Sequence, residues 1–324
     1  MNVLITSAGR RTKLVEYFKN EFKGEGNVIV TDCDNKAPTL YIADKSYVVP
    51  RIDNKNYIPT IKEICKKENI DGILSLIDPE LSLLSYNRDE FEKLGVKVIV
   101  SDYDIVETCF DKMDMFHFLI DNGFKTARTY DSFEEFNKDY KKGDMTLPVF
   151  VKPRKGSASL GINKIDDIDI LNIVKSKDDN LLIQEFLDGK EYGIDVYVDL
   201  ISKEIISIYA KEKIKMRAGE TDKAISILDD ELFKLIEDFI SKLGVVGAID
   251  IDVFKVNGEY YISEVNPRFG GGYLLAYEGG EDFAHYINNN LKGIENKRNI
   301  GEYKEGLYMF KHDTLIIKEE SNLI

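Results

Sequence analysis

The stretch Gly247-Ala248-Ile249-Asp250-Ile251-Asp252-Val253-Phe254 is followed by an Asn257-Gly258 turn and then by Tyr261-Ile262-Ser263-Glu264-Val265-Asn266-Pro267-Arg268. It reads as a β-hairpin whose strands carry acids. An unpaired carboxylate inside an apolar strand is costly, so these acids need a reason. By the two-residue period of a strand, Asp250 and Asp252 share one face, and so do Glu264 and Asn266. The turn decides whether the two pairs meet. A two-residue Asn-Gly loop pairs 256 with 259 and turns Glu264 away from Asp252. A three-residue loop, or a bulge at Gly258, brings Asp252, Glu264 and Asn266 together. The odd-numbered loop is the expectation adopted. Oxygen ligands of this kind suit magnesium bridging nucleotide phosphates.

Two segments upstream extend this chemistry. Val149-Phe150-Val151-Lys152-Pro153 is a strand with a lysine at its end, running into Arg154-Lys155-Gly156-Ser157-Ala158-Ser159-Leu160-Gly161. A lysine beside a small-residue loop grips phosphates with its charge and the loop's N–H groups. The loop is no P-loop, because Ile162-Asn163 stands where Lys and Ser or Thr are required. Next, Leu181-Leu182-Ile183-Gln184-Glu185-Phe186-Leu187 is an apolar strand opening into Asp188-Gly189-Lys190-Glu191. Its exposed backbone can meet a flat heterocycle, and Glu191 can accept hydrogen bonds from ribose hydroxyls.

Further out, the first hundred residues alternate strand and helix. The strands are Val3–Thr6, Val28–Thr31, Gly72–Leu76 and Val96–Val100, and the helices include Thr12–Phe22 and Tyr57–Glu68. This order implies a parallel sheet with right-handed crossovers and ligands beyond the carboxyl strand ends. Gly9, Arg10, Asp32, Asp78 and Glu80 stand at those ends. From about residue 105 the pattern turns α+β and mostly antiparallel. It has a helix at Lys112–Asn122, a hairpin of Glu191–Leu200 with Glu204–Ala210, and an amphipathic helix at Asp229–Leu243. The tail, Gly301–Ile324, reads as two short strands without chemistry.

Length and composition set the bounds. The chain has 324 residues, enough for two or three lobes. It carries 44 Lys and Arg against 58 Asp and Glu, a net charge of −14. A surface for nucleic acid or anionic lipid is therefore not expected. Three scattered cysteines without a CxxC pair, and three histidines without ligand spacing, favour neither a zinc site nor a disulfide framework. With no signal-peptide pattern and no long apolar run, a reduced, cytoplasmic protein that does not enter a membrane is expected.

Taken in order, the strand-end lysine, the Gly-Ser loop, the acidic hinge and the terminal E-x-N-P-R run resemble the ATP-grasp superfamily. The likeness is greatest to one ATP-grasp half of the carbamoyl-phosphate synthase large subunit and covers about residues 1 to 290. Asp252 departs from it, standing where that enzyme has glutamine. The resemblance implies an N-terminal Rossmann-like parallel α/β domain over 1–104, a first ATP-grasp lobe over 105–186, and a second lobe with the tail over 187–324. It implies ATP with Mg2+ or Mn2+ as cofactors. Lys112 and Lys152 then hold phosphate under the loop of Gly156, Ser157, Ser159 and Gly161. Gln184, Glu185, Phe186 and Leu187 form the adenine hinge, Glu191 holds ribose, and Asp252, Glu264 and Asn266 hold the metal. Arg268, with Lys152, steadies the transferred phosphoryl group, in keeping with a guanidinium that needs an anion to face. Substrate candidates are Arg10, Asp78, Glu80, Arg217, Gly271 and Gly272.

Three functions follow. The first is a ligase that phosphorylates a carboxylate with ATP and passes the acyl phosphate to an amine or other nucleophile. The second is activation of bicarbonate in the manner of carbamoyl-phosphate synthase. The third is a non-catalytic nucleotide-binding module; the lone Gly9 argues against NAD. Small-molecule substrates are the expected partners. A homodimer, a glutaminase and a carrier stay open.

Overall fold

The structure is a computed structural model that describes residues 1–156 and 161–324. Ser157 and Ser159 lie outside the described residues. The first sheet is built from β1 (Val3–Thr6), β2 (Val28–Asp32), β3 (Lys45–Val48), β4 (Gly72–Ser75) and β5 (Lys97–Val98). Its order is β3-β2-β1-β4-β5 and every pair is parallel. The short apolar strands are buried throughout, as a sheet covered by helices on both faces requires. Helices Thr12–Phe22 and Tyr57–Glu68 fall where their apolar spacing put them.

Two antiparallel sheets follow. The smaller comprises β6 (Thr129–Tyr130), β7 (Val149–Pro153), β8 (Asn163–Ile165) and β9 (Leu181–Glu185), ordered β6-β9-β7-β8. The larger comprises β10 (Lys190–Val198), β11 (Ile205–Arg217), β12 (Glu220–Ile227), β13 (Gly247–Val256), β14 (Glu259–Asn266) and β15 (Tyr308–Phe310). Its order is β14-β13-β10-β11-β12-β15. The fold is thus a parallel α/β domain followed by two antiparallel lobes.

Helix Asp230–Leu243 packs on the larger sheet's apolar face through Leu232, Phe233, Ile236, Phe239 and Ile240, all buried. Asp229 caps its first turn by accepting the Leu232 N–H at 3.0 Å, and Gly244 ends it in the left-handed region. The first domain docks on the same body. Tyr17 stacks on Tyr277 with centroids 3.5 Å apart, and the Val246 N–H donates to Ser101 Oγ at 2.9 Å.

The tail differs from its expectation. It contributes one strand, β15, which pairs with β12, and a short 3-10 turn at Glu320–Asn322. The strand expected over Glu204–Ala210 is also longer than its expectation. It continues as β11 to Arg217 and alternates its side chains between the two faces as far as Lys213. Phe239 is fully buried against Phe118 and Phe124. Phe239→Ala should cost about 3–5 kcal/mol of unfolding free energy in a urea titration; a loss near zero would mean that this helix is not part of the core.

Candidate functional site

The hairpin loop is the first correction. Val256 pairs with Glu259, so the Asn257-Gly258 loop has two residues and not an odd number. The parity is restored inside the strand instead. Val253 faces Ile262 while Asp252 faces Glu264, so Ser263 is the extra residue of a bulge. Asp252 stands directly across from Glu264, and Asp250 across from Asn266. All four side chains project from one face of the sheet. Glu191 and Asp195 of β10, and Lys211 and Lys213 of β11, belong to the same face. Gly193 leaves room for them: a Cβ there would lie 3.0 Å from Lys213 Cε and 3.2 Å from Lys211 Cε.

This face walls one side of a cleft of about 680 Å³ between the two antiparallel lobes and the first domain. One end is lined by Ala127, Phe150, Ile162, Leu187 and Phe254, an apolar slot beside the hinge. The Glu185 N–H donates to the Arg128 carbonyl at 2.9 Å, and the Glu185 carboxylate accepts the Arg128 N–H at 3.0 Å. Glu185 therefore braces the hinge. Gln184 is buried and donates to Thr129 Oγ1 at 2.9 Å. The Phe186 ring packs on Phe150 and carries Lys164 Nζ over its face at 3.7 Å.

In the middle of the cleft, Lys152 is buried and makes no ion pair among the described residues. Burial pulls its ammonium down to about 8, with Lys112 adding to the effect and Glu264 and Asp252 opposing it. Lys112 sits off the main cleft, in a small recess behind Gln184 and Glu264, and donates to the Gly156 carbonyl at 2.7 Å. Asp111 caps the helix Lys112–Asp121 and receives Arg154 Nε at 2.7 Å, so this corner fixes the base of the glycine-serine segment. Lys213 bonds Asp252 at 2.5 Å and Glu191 at 2.8 Å. Burial alone would lower Lys213, but Asp252, Glu191 and Asp250 hold it charged, well above the ordinary lysine value. Burial pushes Asp252 upward against Lys213, and Asp250, Glu191 and Glu264 push the same way.

Asp252, Glu264 and Asn266 fit magnesium by donor chemistry. They are hard oxygen donors crowded with like charge. Among the described residues no three His, Cys, Asp or Glu side chains converge as a metal cage. Two carboxylates and an amide are the number that magnesium takes when phosphates and water complete its shell.

The far end of the cleft is lined by Arg10, Arg11, Asp78, Glu220, Arg268, Gly271 and Gly272. The Arg268 side chain is only 9% exposed and lies 3.1 Å from Asp78 and 3.5 Å from Asp250, which raise its pKa against the lowering effect of burial. A Cβ on Gly270 would fall 2.3 Å from Asp250 Oδ1, and one on Gly272 would fall 2.5 Å from Lys211 Cε, so a larger residue in this loop would displace both side chains. Two of the substrate candidates do not reach the cleft. Glu80 is wholly buried in the first domain, where it accepts Ser75 Oγ at 2.6 Å and the Tyr57 hydroxyl. Arg217 faces outward, with Asp222 at 2.9 Å and Asp313 at 3.1 Å, because register breaks between Lys213 and Met216 shift the parity of β11 and put Met216 on the cleft in its place. Sequence reading missed Lys311 in the tail, which donates to the Gly271 carbonyl at 2.7 Å and lies 3.2 Å from Glu220. The run Lys211–Glu220, which the sequence offers for substrate selection, instead sets Lys213 among the acids, and the two-residue period puts Lys211 and Lys213 on one face.

A cleft with a phosphate-sized cation, paired acids and a flat apolar slot describes an enzyme that transfers a group from a nucleotide. Comparison with known proteins makes this specific. Residues 109–272 match the profile of the ATP-grasp domain, and residues 3–99 match that of the PylC-like N-terminal domain. The chain belongs to the ATP-grasp family and is an ATP-dependent ligase. It is similar to a carbamoyl-phosphate synthase of Methanobrevibacter smithii, at 25% identity over 94% of this chain and 89% of that protein. A D-alanine–D-alanine ligase of Ruminiclostridium cellulolyticum is 28% identical over 48% of this chain, and the match spans less than half of that enzyme, 46%. The fold is shared with the biotin carboxylase domain of Hydrogenobacter thermophilus 2-oxoglutarate carboxylase, solved with MgADP and bicarbonate. There the TM-score is 0.74 at 16% identity, covering 95% of this chain and 73% of that one. No described helix is long and apolar enough to cross a membrane.

Two outcomes test the site. Glu264→Gln should abolish metal-dependent ADP formation and leave the circular dichroism unchanged; retained turnover would remove Glu264 from the site. Lys152 is largely unprotonated above its lowered value of about 8, and a phosphate beside it restores the charge. ADP binding near pH 9 should therefore take up a proton, visible as a buffer-dependent heat in calorimetry and lost in Lys152→Met.

Proposed function

We propose that the chain joins a small carboxylic acid to an amine through an acyl phosphate. A carboxylate oxygen of the acid attacks the γ-phosphorus of ATP, and ADP leaves. The amine nitrogen then attacks the acyl carbon, inorganic phosphate departs, and the amine loses its proton. What supports this reading most is that Lys152 and the opposed pair Asp252 and Glu264 line one cleft beside the hinge. Lys152 and Arg268 neutralise charge on the moving phosphoryl group, as preorganised donors in a poorly solvated site do. Leu187 and the apolar slot take adenine, and Glu191 takes ribose. Magnesium, held by Asp252, Glu264 and Asn266, would supply further neutralisation of the phosphates. The division of the chain at residues 104 and 186 belongs to the same proposal.

A second reading, activation of bicarbonate, is favoured by the coverage of the Methanobrevibacter smithii protein, which reaches 94% of this chain. ADP release from Mg-ATP separates the two. Stimulation by a pool of carboxylates with amines, and none by bicarbonate with ammonia, is the expected result. Stimulation by bicarbonate alone would replace the first reading with the second.

A further inference from the structure

The far end of the cleft holds a set of charges that nearly cancels. Arg268 lies between Asp78 and Asp250. Arg10 and Lys311 both face Glu220, at 3.5 and 3.2 Å. These acids and bases answer one another, but Arg11 is left over. Its guanidinium lines the cleft, and among the described residues no carboxylate lies within ion-pair distance of it. Its Nη1 donates to the Phe269 carbonyl at 2.6 Å, and Arg268 Nη1 donates to the same oxygen at 3.1 Å. Two guanidiniums are thus brought side by side on one carbonyl, and the carboxylates there bond Arg268 and leave Arg11 open to an anion.

We propose that Arg11 is the anchor for the carboxylate of the acid substrate, holding it beside Arg268 at the mouth of the phosphoryl-transfer site. This rests on the ligase reading above. It identifies Arg11, rather than its exposed neighbour Arg10, as the residue by which the first domain selects the acid. The leftover charge is a single one, so the preferred acid carries one net negative charge at this end and not two. Burial and the neighbouring Arg268 draw the Arg11 guanidinium down to about 10, although Glu220, Asp250 and Asp78 attract it from farther off. The free protein therefore holds a cation at some cost, and a bound carboxylate removes that cost.

The test compares Arg11→Met and Arg11→Lys with the wild type. Arg11 precedes helix Thr12–Phe22 without a side-chain cap bond, so methionine there removes no cap. Ligand-free Arg11→Met should melt above the wild type, the reverse of what loss of a structural brace does. With the acid that stimulates ADP release, its KM for the acid should rise about tenfold or more while the KM for ATP stays within about twofold, and Arg11→Lys should recover part of the loss. An unchanged KM for the acid overturns the proposal. If no acid stimulates ADP release by the wild type, the ligase reading falls. Arg11 is then judged by melting alone, where a lower midpoint for Arg11→Met overturns the anchor and a higher one upholds a cation built for a ligand.

Discussion

The ammonium of Lys213 is the charge on which the site depends. It lies between Asp252 and Glu191 on a face that also carries Asp250 and Glu264. Unit charges at such distances interact by about 4 kcal/mol at the effective dielectric of a protein surface, so four acids without a cation would drive each other apart or protonate. Lys213 holds Asp252 and Glu191, with Arg268 beside Asp250. It cannot satisfy all of them, because it bonds two. The remainder is what a metal ion and its phosphates would answer.

The same logic spreads outward. Lys152 is the opposite case, a buried cation set in the cleft without an acid of its own, which leaves it for phosphate. Arg268 is neutralised twice over by Asp78 and Asp250, and so ties the first domain to the larger sheet at the point where chemistry is expected. Buried ion pairs of this kind are weak contributors to stability but strong determinants of position. Here they fix where the first domain meets the larger sheet, beside the cleft.

Much of this was legible in the chain. The acids in an apolar hairpin, the lysine at the end of β7 and the hinge before Glu191 pointed to a nucleotide site, because each is expensive unless used. Periodicity also gave Thr12–Phe22 and Tyr57–Glu68 to the residue. Where reading failed, the cause was register. The Asn257-Gly258 loop is even, and a bulge at Ser263 corrects the parity. Nothing in Ser263 announces this, since a bulge is decided by what the two strands pack against.

Sequence alone determined the family, the nucleotide half of the site and the alternation that builds the first sheet, because local pattern and the cost of buried charge are written in single segments. Tertiary structure alone decided which basic residues serve the far end of the cleft. Arg10 and Arg11 are adjacent and alike and both line the cleft, yet Arg10 is exposed and pairs with Glu220, while Arg11 lies beside Arg268 with no carboxylate of its own among the described residues. Lys311 reaches Gly271 from a tail that showed no motif. Glu80 and Arg217 looked as suitable as any and are spent on a first-domain hydroxyl pair and on surface partners. Such choices depend on how distant segments pack, and no spacing within the chain encodes that distance.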